Sequence, residues 1–194
     1  MSFKLLASSA ARALVLLSVA LCATTVGCAS NSSSAGGAST AADITMSKAP
    51  DFAAVDLKGV PFRLSEHRGQ VVLVNFFATW CAPCVNEMPH LRKIYEANKD
   101  KGFLLVVVSA DGINAAADVR AFADRHELHF PMILDDDLRI SSLFNPKKSA
   151  PFSVLIDRTG HVVAVHDGYT AGDETVLAHD VASLVGGPTA SASN

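Results

Sequence analysis

The sequence predicts an α/β domain in which a mixed β-sheet is covered by helices on both faces. Three observations predict it. Strand-like and helix-like patterns alternate from residue 71 to residue 144, two late apolar runs are joined by a tight turn signal, and a Cys-x-x-Cys pair stands where the first long apolar run gives way to a helix.

The first element, "VVLVNFFA" (71–78), is a continuous β-branched and aromatic run, as expected of a strand buried on both faces. From Cys84 to about Asn98, Met88, Leu91, Ile94 and Tyr95 recur at three- and four-residue spacing, which predicts a helix with one apolar face. "FLLVVVSA" (103–110) predicts a second buried strand, and residues 114–127 a helix with Val119, Phe122 and Ala123 inward. "FPMILD" predicts a short extended segment and Asp137 to Phe144 a helix. "FSVLID" (152–157) and "HVVAVHDG" (161–168) flank "RTG", a hairpin turn signal. Asp173 to Val185 predicts a closing helix. No internal repeat is visible.

At 194 residues, 49% hydrophobic and 18% charged, the chain holds one core plus ends that need not fold. A formal charge of −3 without a Lys/Arg cluster argues against nucleic acid as a partner. Residues 1–27 order Lys4 and Arg12 before an apolar stretch, Ala13 to Ala23, and then small residues, the arrangement of an export signal. That stretch is shorter than the roughly 20 residues of a membrane span, so a retained anchor is the weaker reading. "TVGC" resembles a bacterial lipobox, with Cys28 as the acylated residue. Thr25 stands where that pattern prefers Leu, Val or Ile, which leaves ordinary cleavage nearby open. Residues 28–48 are rich in Ser, Ala and Gly and read as a flexible linker of roughly 25 Å r.m.s. span. Residues 49–185 form the domain, and residues 186–194 read as an unstructured tail.

Cleavage before Cys28 removes Cys22, and acylation blocks Cys28, so Cys81 and Cys84 remain free to pair. The loss of Lys4 and Arg12 also takes the formal charge from −3 to −5. At a strand-to-helix turn, Cys81 falls at the helix entrance and Cys84 nearly one turn inside, on the same face. Free amides and the helix dipole stabilise a thiolate there, which makes Cys81 the expected exposed nucleophile and Cys84 the resolving thiol. Pro83 fixes one torsion between them, and Trp80 is placed to shield the sulfurs. A zinc site needs four ligands, for which no second pair exists. A purely structural bridge over two residues removes little chain entropy. A Cys-x-x-Cys between strand and helix in such a chain points to a thioredoxin-like redox domain.

Together, "APDFAAVDLKGVPFRLSEHRGQVVLVNFFATWCAPCVNEMPHLRKIY", "VVVSAD" and "APFSVLIDRTGHVVAVHDGY" resemble the bacterial TlpA/ResA/DsbE group of extracytoplasmic thioredoxin-like proteins of the AhpC/TSA-redoxin superfamily. The resemblance covers about residues 49–185 and implies a thioredoxin-like fold with an N-terminal β-hairpin extension. It further implies that Pro151 follows a cis peptide bond facing the disulfide, and that the backbone of Ala150 then pairs with an extended client segment. It implies no cofactor beyond a redox-active Cys81–Cys84 disulfide, a reducing direction, and a DsbD- or CcdA-like membrane electron donor. Exported thiol proteins, among them apocytochrome c or a copper-site assembly protein, would be the clients. Asn75 occupies the strand position where thioredoxin carries a buried proton-transferring Asp. Glu87 matches an acidic residue of the ResA-like branch, and the alternatives for it are a buried carboxylate exchanging a proton with Cys84 or a solvated helix Glu. Phe77, where many relatives have Trp, reads as packing.

Two other readings remain. A peroxiredoxin-like peroxidase needs P-x-x-x-T-x-x-C, but Val74 and Ala78 hold the Pro and Thr positions. A copper-binding chaperone of Sco type would use His90, His161 or His166, yet that group spaces its cysteines C-x-x-x-C. "HELH" (126–129) is one residue short of a zincin motif, and "DDD" (135–137) reads as a solvated turn and helix start.

Overall fold

A computed structural model describes residues 47–112 and 114–187. The leader 1–27, Cys28, all but the last two residues of the linker 28–48, and the tail beyond Gly187 lie outside the described residues.

A two-stranded antiparallel sheet comes first, β1 (Ala53–Val55) with β2 (Pro61–Arg63). A five-stranded mixed sheet follows in the order β5-β4-β3-β6-β7. Its members are β3 (Val71–Phe77), β4 (Phe103–Ser109), β5 (Met132–Leu134), β6 (Phe152–Ile156) and β7 (Val162–Asp167). The helices are α1 (Ala82–Asn98), α2 (Ala116–Arg125), α3 (Arg139–Phe144) and α4 (Asp173–Val185). β4 runs parallel to β3 and to β5, whereas β6 runs antiparallel to β3 and to β7. This is the thioredoxin-like architecture with its N-terminal hairpin.

The two-residue period of a strand sorts β3 between two cores. Val71, Leu73 and Phe77 join Met88 and Leu91 of α1, Phe122 of α2 and Val181 of α4. Val72, Val74 and Phe76 join Phe144 of α3 and Phe52 and Phe62 of the hairpin region. All seven residues of β3 are buried, which accounts for its run being apolar at every position but Asn75. Phe77 lies 5.4 Å, centroid to centroid, from Phe122, and trimming it to Ala would cost about 3–5 kcal/mol.

Asn75 is the exception in that run, and it faces the side covered by α1. Helix α1 starts at Ala82 rather than Cys84, because Pro83 is tolerated in a first turn whose amides have no intrahelical acceptor. The turn after β6 is closed by Asp157, whose carboxylate accepts from the amides of Thr159 and His161. One expectation needs correcting. Asp135 of the "DDD" stretch is not solvated but 2% exposed, and it accepts from the amides of Ile140 and Ser141 and from the Ser141 hydroxyl, thereby fastening the start of α3 to the end of β5.

Candidate active site

Cys81 caps α1 and Cys84 stands one turn in, with Cα atoms 5.3 Å apart and the two sulfurs joined in a disulfide. The Cys84 amide points at the Cys81 sulfur, 3.4 Å away. That amide, at the positive end of the helix dipole, would stabilise a thiolate on Cys81 after reduction. In the disulfide Cys84 is wholly buried and Cys81 retains only 7% exposure, so the expected exposed nucleophile is recessed in the oxidised state, and the difference between the two sulfurs is one of degree. Trp80 is 74% exposed beside them, and Pro83 is exposed at the turn.

The Ala150–Pro151 peptide bond is cis and puts the Ala150 carbonyl oxygen 3.5 Å from the Cys81 sulfur. The approach loop is clamped by Asn145, which is 2% exposed: its amide donates to the Ser149 carbonyl and its oxygen accepts from the Ser149 amide. Gly168 donates its amide to the Pro151 carbonyl and fixes the other side.

Glu87 is 5% exposed, so it is not a solvated helix residue. Its Oε2 accepts from the Asn75 amide at 3.1 Å, and the same amide nitrogen donates to Ser153 Oγ at 2.9 Å. Burial pushes the Glu87 carboxyl up to about 7; Asn75 pulls the other way, and the nearby Asp173 charge adds to the rise. Glu87 opens into a narrow cleft whose other polar walls are His90, His166, Tyr169, Asp173 and Glu174. Tyr169 is pushed up to about 12 by burial and by its hydrogen bond to Glu174.

A second buried carboxylate flanks the pair. Asp111, 3% exposed, accepts from the Thr79 amide, the Thr79 hydroxyl at 2.6 Å and the Ser109 hydroxyl at 2.6 Å. It thus ties the turn that carries Cys81 to the end of β4. Sequence reading missed Asp111 and Ser153. Asp111 directly follows a parallel strand, and the rule that α/β sites lie at the carboxyl ends of strands would have flagged it. Ser153 sends no such signal, because its partner is 78 positions away.

The sequence profile of the AhpC/TSA family matches residues 45–165, more than half of the chain. The chain belongs to the AhpC/TSA family. Within that family it is 37% identical over 122 residues to the "Thiol-disulfide oxidoreductase ResA" of Geobacillus kaustophilus, spanning 63% of this chain and 68% of that protein. It superposes on a thiol:disulfide interchange protein from Bacteroides sp. with a TM-score of 0.61 and 30% identity, over 77% of this chain and 95% of that one. A secreted Mycobacterium tuberculosis disulfide oxidoreductase homologous to E. coli DsbE matches with a TM-score of 0.61 and 25% identity, over 69% of this chain and 96% of that one. This AhpC/TSA-family chain is a thiol-disulfide oxidoreductase of ResA/DsbE type, and its Cys-x-x-Cys is the pair at the head of α1.

The histidines weighed as metal ligands do not gather at the sulfurs of this AhpC/TSA-family chain. His161 meets Thr159 in the β6–β7 turn, His90 faces Glu174, and His166 faces Asp180. Among the described residues no three His, Cys, Asp or Glu side chains are grouped to hold a metal. In "HELH", His126 packs on Phe122 and Glu127 pairs with Arg92.

Proposed function

We propose that this oxidoreductase works outside the cytoplasm as a membrane-tethered reductant of exported disulfide proteins. The observation that carries the reading is the pairing of a capping Cys81 with a buried Glu87 one turn beyond Cys84. In the cycle, the Cys81 thiolate attacks a client disulfide and a mixed disulfide forms. Cys84 gives its proton to the Glu87 carboxylate and displaces the client from Cys81. A carboxyl poised near 7 suits that exchange at neutral pH. Trp80 and Pro83 shape one side of the approach to the sulfurs. Ala150 and Pro151 form the other, where the Ala150 backbone offers an edge for an extended client.

The tether is assigned to acylated Cys28 after removal of residues 1–27, with residues 28–48 as spacer, residues 49–185 as the working domain and residues 186–194 as a free tail. A DsbD- or CcdA-like membrane protein would supply electrons. The clients are exported thiol proteins, such as an apocytochrome c or a copper-site assembly protein.

Replacing Cys84 with Ser in cells and identifying what remains linked to Cys81 tests the cycle and names the client. A midpoint potential well below that of the strong oxidants is expected, and a value near about −120 mV would overturn the reducing direction. Mass spectrometry showing an unacylated N-terminus beyond Cys28 would remove the tether.

A further inference from the structure

The polar side chains under the helices do not end at Ser153. Ser153 stands opposite Asn75 in the β3–β6 register and opposite His166 in the β6–β7 register. Directly opposed residues put their side chains on one face, with Cβ atoms about 5 Å apart. Asn75, Ser153 and His166 therefore form a row across three strands, on the face whose other side chains build the α1–α4 core. His166 also walls the cleft into which Glu87 opens, a space of about 10 Å³ that holds about one water molecule. Its Nε2 is buried and lies 3.4 Å from Oδ2 of Asp180 on α4, off hydrogen-bond geometry but within reach of a carboxylate that favours a protonated ring.

We propose that His166, with Asp180 as its counter-charge, is a positioning residue that holds the proton Glu87 gives up, so that Glu87 is available as a carboxylate at neutral pH. This rests on the proton-exchange reading of Glu87. The exchange converts a carboxylic acid beside a neutral imidazole into a carboxylate beside an imidazolium, with no net change in charge. When Cys84 resolves a mixed disulfide, its proton goes to Glu87, its sulfur bonds to Cys81, and the client sulfur leaves as a thiolate with the electron pair. The departing thiolate takes its proton from solvent.

The charged and titratable groups facing this pair are Glu87 and His90 from α1, Tyr169 from the turn after β7, and Asp173, Glu174 and Asp180 from α4. Asn75 and Ser153 do not titrate. Tyr169 gives its hydroxyl to Glu174, and His90 sits against that same carboxylate with its ring on Tyr169. His166 is the imidazole of this cleft whose Nε2 is buried and set against a carboxylate, that of Asp180.

The test is the pH profile of resolution, followed in the full-length protein as release of a chromogenic thiol from its mixed disulfide with Cys81. Losing an imidazolium beside Glu87 makes its carboxylate harder to form. His166→Gln is therefore expected to move the inflection upward by about one pH unit. Resolution then slows about fivefold near pH 7 and matches the wild type at high pH, whereas a folding defect would lower the rate at every pH. An unmoved inflection in His166→Gln, or an equal shift in His90→Gln, would overturn the proposal. If Glu87→Gln keeps the wild-type profile, the Glu87 reading itself fails; if Glu87→Gln flattens the profile while His166→Gln leaves the inflection in place, only the role of His166 falls.

Discussion

Two buried carboxylates, Asp111 bonded to the turn before Cys81 and Glu87 on the helix after Cys84, are built differently. Asp111 is enclosed by donors, taking the Thr79 amide, the Thr79 hydroxyl and the Ser109 hydroxyl. Glu87 has one amide donor, which it shares with Ser153, and a cleft on its other side. Burial disfavours a carboxylate, and hydrogen-bond donors offset that cost. The difference in donor supply separates a clamp that holds the Cys81 turn from the carboxylate proposed to trade a proton.

Three variants, one of them read in two ways, test the contrast in decreasing order of expected effect. Asp111→Ala leaves its donors unpaired inside the protein and is expected to cost about 4 kcal/mol of stability in urea unfolding; a loss below about 1 kcal/mol would show that Asp111 clamps nothing. Glu87→Gln acts in the opposite direction on stability. The folded-state Glu87 binds its proton more tightly than the ordinary value of 4.5, up to about 7. Wild-type stability should therefore fall as pH rises from about 4.5 to about 7 and level off above. The Gln variant should be the more stable at pH 8 by up to about 3 kcal/mol and equal near pH 4. Melting curves at both pH values decide it, and a Gln variant less stable at pH 8 would mean that Glu87 is a structural anchor.

The same variant should resolve a mixed disulfide about tenfold more slowly at pH 8, because Cys84 has lost its base. A rate equal to wild type would reduce Glu87 to a buried oddity. Asn75→Val removes the single donor on Glu87 and should raise its inflection by about one unit, seen in the pH profile of resolution. It should also cost about 1 kcal/mol in urea unfolding, since the Asn75 Nδ2 bonds to Glu87 and Ser153 are lost.

What the sequence disclosed and what it withheld follow from the range over which each feature is determined. The strand at 71–77 was legible because burial on both faces demands an unbroken apolar run, and the late hairpin because the turn chemistry is local. Cys81, Cys84 and Glu87 fall within seven residues, so their placement on one helix follows from spacing. Asp135 was misread because three consecutive Asp residues look solvated, and the amides that Asp135 receives belong to a helix start five residues on. The Asn75–Ser153–His166 row depends on how β3, β6 and β7 align, which no local pattern states. His166 is therefore grouped in the sequence with His90 and His161 as a copper ligand, whereas its neighbours are a serine and an aspartate.

The first described residues pair with the sheet at one particular place. Ser47 accepts from the Val162 amide, and Lys48 bridges to His161, at the beginning of β7. β7 begins beside the end of β6, whereas the cis Pro151 precedes its start, so about 13 Å of strand separates this seam from the cis-proline loop. The polypeptide thus joins the domain at the pole away from the sulfurs. Pulling on residue 47 would turn the disulfide outward, and a client would meet the reactive end of the domain rather than its stem.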